Sequence, residues 1–160
     1  MKLGIISDTH DNVPLIEKAV EIFNDANVDV VIHAGDYVSP FSVKPLLLLE
    51  CDFLGVWGNN DGDKIALQNM AQGKIENSPF IESYGGKKIL IGHHLEPLGS
   101  LVSSQDFFLI IYGHTHQPDI KKVGKTLVVN PGECCGWVYG KATIAVADLD
   151  DQIAELISLT

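Results

Sequence analysis

The 160-residue sequence predicts an α/β fold, on three observations. Short apolar, β-branched runs recur along the chain and stop abruptly at small and polar residues, as buried strands do where they pass into loops. Helical stretches separate the first three runs, which demands parallel pairing with right-handed crossovers. From about Ser78 onward the connections shorten to hairpin turns, which adds antiparallel strands. The expected architecture is a mixed sheet, or two packed sheets, with helices outside.

Taken in order, Lys2 to Ile6 is the first strand and ends at Ser7-Asp8-Thr9-His10. Pro14 to Ala26 sets Ile16, Val20 and Phe23 on one helical stripe, with Asn12 as its expected cap. Val28 to Ile32 runs into His33-Ala34-Gly35-Asp36, and Ser39-Pro40 opens a second helix over Phe41 to Glu50. Phe53 to Trp57 ends at Gly58-Asn59-Asn60-Asp61, Ile89 to Ile91 at Gly92-His93-His94, and Phe107 to Tyr112 at Gly113-His114-Thr115-His116. Tyr84-Gly85-Gly86-Lys87, Val123-Gly124-Lys125-Thr126 and Asp148 to Gln152 read as hairpin turns. With no repeat and no shift in composition, residues 1–160 read as a single domain.

All 11 basic residues are lysine, against 21 acidic residues, for a formal charge of −10. Such acidity argues against an extended nucleic-acid track, and without arginine any bound phosphate must be held by lysine, backbone amides or metal. The three cysteines, Cys51, Cys134 and Cys135, do not form a disulfide framework, and no apolar run approaches membrane-spanning length. A cytoplasmic, reducing location is expected, with no membrane partner.

In parallel α/β sheets ligands bind beyond the carboxyl ends of the strands, where all five motifs fall. Asp8 and His10 are two residues apart, as are His114 and His116, a spacing that turns both side chains of a pair to one face of an extended segment. Asp36 and Asn59 add oxygen donors. Imidazole, carboxylate and amide together suit first-row divalent ions. These six and a fourth-motif histidine are too many for one tetrahedral ion, whereas two ions roughly 3.5–4 Å apart, bridged by Asp36 and a hydroxide, use them all. Phosphoester hydrolysis by in-line attack is the chemistry that such a pair supports.

In this order the motifs Asp8-x-His10, Gly35-Asp36, Gly58-Asn59-Asn60-Asp61, Gly92-His93 and Gly113-His114-Thr115-His116 resemble the signature of the calcineurin-like metallophosphoesterases. With the Asn130-Pro131-Gly132 loop and the short length, the chain is similar to the small single-domain microbial phosphodiesterase branch, to which a retromer scaffold subunit is related. The resemblance implies a four-layer α/β/β/α sandwich of two mixed sheets flanked by helices. It further implies one ion on Asp8, His10, Asp36 and His116 and a second on Asp36, Asn59, a fourth-motif histidine and His114. Two divalent ions are expected, manganese first, with nickel, zinc, iron or magnesium as alternatives.

The sequence departs from that pattern twice. Asn60 stands where many relatives carry a histidine that protonates the leaving group; an amide can donate a hydrogen bond to a phosphoryl oxygen but cannot act as that acid. Diesters or activated esters are therefore expected, with Asn60 and Asp61 as catalytic candidates and Asn60 and His94 as substrate contacts. Ile91 stands where the first histidine of His-Gly-His would fall, so His93 or His94 replaces that ligand or the second site is one donor short. His33 reads as a core histidine and the Cys134-Cys135 pair as loop packing near the site. A phosphomonoesterase, or a scaffold on the same fold with a degraded site, is the alternative reading. A small phosphoester is the expected partner, and the Trp137-Val138-Tyr139 strip hints at a homo-oligomer.

Overall fold

A computed structural model describes residues 1–160. In chain order the elements are β1 (Lys2–Ile6), α1 (Val13–Asp25), β2 (Val30–His33), α2 (Pro40–Leu46), β3 (Asp52–Val56), α3 (Lys64–Met70), β4 (Ile75–Glu76) and β5 (Phe80–Tyr84). There follow β6 (Lys87–Ile91), α4 (Leu98–Ser104), β7 (Leu109–Ile111), β8 (Pro118–Val123), β9 (Thr126–Pro131), β10 (Thr143–Asp148) and β11 (Ile153–Ser158).

The first sheet has the order β11-β10-β1-β2-β3-β4 and the second β5-β6-β7-β9-β8. Strands β1 to β4 are parallel, as are β6, β7 and β9, and the antiparallel hairpins form at the three expected turns. Strand alternation divides the apolar residues among three layers. Leu3, Ile5, Ile32 and Val56 meet Ile89, Ile91, Leu109 and Val129 between the sheets. Ile6, Val31 and Phe53 face α1 to α3 through Ile16, Phe23, Leu46 and Leu67, while Leu90, Ile110 and Val128 face α4 through Val102. The result is the expected α/β/β/α sandwich.

Helix α1 buries Ile16, Ala19, Val20 and Phe23 as the stripe predicts. Asn12 occupies its N-cap position, but the side chain makes no cap bond and donates instead to the Cys135 carbonyl at 2.8 Å. Helix α2 ends at Leu46 rather than Glu50; Pro45 sits in its last turn and supplies no amide to the helix. The short α3 and α4 and the two-residue β4 are additional to the expected elements.

Candidate metal centre

All five motifs lie at carboxyl ends of parallel strands and meet where the edges of the two sheets face each other. Asp8 and His10 follow β1, Asp36 follows β2 and Asn59 follows β3; His93 follows β6, and His114 and His116 follow β7. Each sheet thus supplies part of one cluster.

The carboxylate and imidazole donor atoms of Asp8, His10, Asp36 and His116 lie within 4.8 Å of one another. Asp8 Oδ2 accepts from the Ser7 hydroxyl at 2.6 Å and the His114 amide at 3.1 Å, which leaves Oδ1 aimed inward, 3.4 Å from His116 Nε2. His10 Nε2 lies 3.4 Å from Asp36 Oδ2. Asp8 Oδ1 and His10 Nε2 are buried without a hydrogen-bond partner. Such orphaned donors of metal-ligand type, facing one point, fit a divalent cation.

Asp36 also belongs to a second group. His93 Nε2 lies 3.4 Å from Asp36 Oδ2 and 2.8 Å from Asn59 Oδ1, and His114 Nδ1 lies 2.9 Å from the same Asn59 oxygen and 3.3 Å from His93. Ile91 is fully buried between the sheets. His93 continues the inward parity of Ile89 and Ile91 beyond the strand end, and its Nδ1 bonds the Ala34 carbonyl at 2.8 Å across the sandwich. It is therefore His93 that reaches the cluster. His94 turns outward, stacks on His114 with centroids 4.3 Å apart and pairs with Glu96 at 3.2 Å. It lines a cavity of about 560 Å³ together with Leu95, Pro97, Leu98, Tyr112 and Thr115.

Asn60 sits exposed on the lip, where its amide nitrogen and side-chain Nδ2 both donate to Asp36, at 2.8 and 2.7 Å. Asp61, expected as a catalytic candidate, engages both oxygens with loop amides, accepting from Val38 N at 2.9 Å and Gly58 N at 2.7 Å. That placement makes Asp61 a brace for the loops after β2 and β3, which pins Val38 at a φ of 82°, a left-handed value that a β-branched residue rarely adopts.

Five of the seven clustered residues also have left-handed backbone: Asp8 (φ 51°), His10 (39°), Asp36 (61°), His114 (68°) and His116 (60°). Such strain gathers at functional sites, at about 1–3 kcal/mol per residue. The motif glycines allow the crowding. A Cβ on Gly58 would overlap the Asp36 carboxylate and amide nitrogen, and one on Gly113 would overlap the Ser7 hydroxyl and Asp8.

Buried polar groups support the cluster from behind. His33 accepts the Gly35 amide at Nδ1 and lies 3.0 Å from the Thr9 hydroxyl through Nε2; burial pushes its pKa down to about 3, so it stays neutral beneath the site. Asn130 donates to the Gly113 carbonyl and the Thr115 hydroxyl, each at 3.0 Å. Sequence reasoning missed Glu133, fully buried, whose Oε2 lies 2.8 Å from His116 Nδ1. The available signal was a lone acid in the otherwise uncharged stretch from Asn130 to Gly140. Cys134 and Cys135 are buried free thiols; the Cys135 sulfur stands within 4.8 Å of His10 and His116 donor atoms, and burial pushes its pKa up to about 12.

The charges are mutually adjusted. Burial alone would raise the Asp36 pKa, but the His93 ring 3.4 Å away and the two hydrogen bonds from Asn60 hold it well below the usual carboxylate range. The Asp8 carboxylate, 3.9 Å away, and Asp36 raise that of His10, and Asp36 raises that of His93, each against the opposing effect of burial. Burial and the neighbouring His93 and His94 lower that of His114.

A family model described as the calcineurin-like phosphoesterase superfamily domain matches residues 1–152. A phosphodiesterase of Methanocaldococcus jannaschii is 41% identical over 159 residues, 95% of each chain. A probable metallophosphoesterase of Methanothermobacter thermautotrophicus is 33% identical over 138 residues, 82% of this chain and 76% of the relative. The solved structure of an archaeal phosphodiesterase superposes with a TM-score of 0.91 at 39% identity, covering 99% of both chains. Zinc-complexed Vps29 of Entamoeba histolytica shares the fold at a TM-score of 0.74 and 19% identity, covering 100% of both chains. With strand-end motifs, sandwich and donor cluster all in agreement with these matches, the chain belongs to the calcineurin-like phosphoesterase superfamily and is a phosphoester hydrolase.

Proposed function

We propose that the chain hydrolyses phosphodiesters of small, compact alcohols by way of two divalent ions that share Asp36. One observation carries this reading: seven donor side chains gather in two groups that share Asp36, and in the first of them the buried Asp8 Oδ1 and His10 Nε2 have no hydrogen-bond partner. Asp8, His10, Asp36 and His116 would hold one ion, and Asp36, Asn59, His93 and His114 the other. Ions held there would polarise the phosphoryl group and lower the pKa of bound water toward neutrality, the chemistry that an in-line attack on phosphorus requires. Manganese is the first expectation for this donor set. Three free cysteines fit a reducing cytoplasm.

The diester preference has four supports. Asn60 offers an amide that can turn from Asp36 to a phosphoryl oxygen but has no proton to give to a poor leaving group. No lysine stands among the clustered side chains to meet the second charge of a monoester. The cavity beside His114 offers room for the second ester group, and the named phosphodiesterase relative points the same way. Metal-stripped protein should regain hydrolysis of a bis-aryl phosphodiester when manganese, nickel, zinc, iron or magnesium is restored, and hydrolyse the aryl monoester more slowly at equal concentration. No metal-stimulated turnover with any ion would overturn the reading, and a faster monoester would reverse the preference.

A further inference from the structure

We infer that Glu133 is a positioning residue of the metal centre, which holds His116 in the one tautomer that can bind an ion. Its carboxylate is fully buried and surrounded by donors. Oε1 accepts from the Tyr139 amide at 2.6 Å, Oε2 accepts from the Val138 amide at 2.9 Å, and Cys135 Sγ lies 3.5 Å from Oε2. Backbone N–H donors thus meet both oxygens, an environment that favours the ionised carboxylate. An ionised carboxylate can only accept, so the 2.8 Å contact from His116 Nδ1 to Oε2 must be Nδ1–H donating. The proton is thereby fixed on Nδ1, and the Nε2 lone pair is directed at the centre, 3.4 Å from Asp8 Oδ1.

The same carboxylate ties this ligand to the loop that overhangs it. Val138 and Tyr139 hang from Glu133, the Trp137 indole donates to the His10 carbonyl at 3.3 Å, and Gln117 donates to the Tyr139 hydroxyl at 2.7 Å. This decides what an amide would do at position 133. Backbone N–H groups can only donate, so the remaining oxygen stays at the Oε1 place, where it keeps Tyr139 at 2.6 Å and Val138 at 3.2 Å, and the NH₂ takes the Oε2 place facing His116 Nδ1, with loss of the 2.9 Å Val138 bond. The imidazole then moves its proton to Nε2, and an Nε2–H cannot ligate. Glu133→Gln thus keeps the shape and the Oε1 anchorage of the loop while turning the histidine the wrong way.

The inference rests on His116 being a ligand, and the test separates the two. Manganese affinity is measured by calorimetry on metal-stripped wild type, E133Q, H116A and the double variant, with thermal unfolding of each metal-free protein as a fold check. We expect E133Q to weaken binding about 10–100-fold, H116A to weaken it at least as much, and the double variant to be no weaker than H116A alone. If H116A binds like wild type, the ligand reading fails. If H116A weakens binding but E133Q does not, or if their effects multiply, the positioning role fails. Nitrogen-detected NMR of the His116 ring in metal-free wild type at pH 8 tests the claim without any variant: Nδ1–H is expected, and an Nε2–H tautomer would overturn it.

Discussion

Replacing Asn60 with histidine puts a proton donor on the exposed lip of the centre, and its effect should depend on the leaving group. Two changes oppose each other. The variant loses the 2.7 Å bond from Asn60 Nδ2 to Asp36 while the 2.8 Å backbone bond remains. A hydrogen bond to a charged group contributes about 1.5–3 kcal/mol, and exposure brings this one to the lower end, so every substrate should lose up to roughly tenfold. Against that loss, a positioned general acid contributes about 10²–10⁴-fold where the leaving alkoxide needs a proton. Nitrophenyl esters, whose leaving groups depart as anions, should therefore slow by up to about tenfold, and esters of weakly acidic phenols or alkyl alcohols should speed up by tenfold or more. The assay is kcat/KM for a series of aryl methyl phosphodiesters graded by leaving-group acidity, wild type against N60H, at saturating manganese. The two lines should cross. Parallel lines, with one rate ratio for every leaving group, would refute the assignment of Asn60 to the place of the missing acid.

Four further outcomes follow from the packing of the centre and of α4. His93→Ala removes the donor that reaches Asp36 and Asn59, so bound metal measured by elemental analysis should drop from two ions per chain to about one; two would reject His93 as a ligand. The same change leaves the Ala34 carbonyl without its partner and should cost about 1–3 kcal/mol in denaturant unfolding. Gly58→Ala drives a Cβ into Asp36 and should destabilise by about 1–3 kcal/mol with loss of metal, whereas Gly99→Ala, with no atom within 4 Å, should stabilise α4 by up to about 1 kcal/mol.

The strand-end motifs were legible because each buried run in this fold stops at a sharp change from apolar to polar residues. The helices were legible only in proportion to the surface they bury. Helix α1 shows a stripe of four buried residues, but α3 buries only Leu67 and α4 only Val102, and a single contact leaves no period to find. For α3 the Asp63 side chain that caps Ala66 N at 3.0 Å was the remaining clue. Within the site, residue types announced the ligands while partner choice stayed hidden. Whether Asp61 faces an ion or two backbone amides, and whether His93 or His94 turns inward, depends on which sheet edge stands opposite. Glu133 was invisible for the same reason: its role exists only through His116, 17 residues away on another strand end.

The histidines make opposite demands on pH, and the signs predict how metal and acidity interact. His33, held near 3, and His114, also lowered, must stay uncharged in the fold, so unfolding takes up protons and stability falls as pH drops below the ordinary imidazole value of about 6.5. His10 and His93, raised by Asp8 and Asp36, contribute stability that is fully present below that value and is lost as pH climbs through their raised values. Asp36 contributes above the ordinary carboxylate value, and its contribution is lost only as pH falls through its depressed one. Metal-free protein should therefore be most stable near pH 6.5 and weaken on both sides. Bound ions change the alkaline side only, because His10 and His93 must shed their protons to ligate, and affinity rises through the very range in which the metal-free fold loses support. At a hundredfold excess over the dissociation constant, binding contributes about 2.7 kcal/mol, enough to offset part of the left-handed strain at Asp8, His10, Asp36, His114 and His116. The difference in Tm between manganese-loaded and stripped protein should accordingly widen from pH 6 to pH 8. A difference that is flat or shrinks over that range would mean that protons and metal do not compete for His10 and His93.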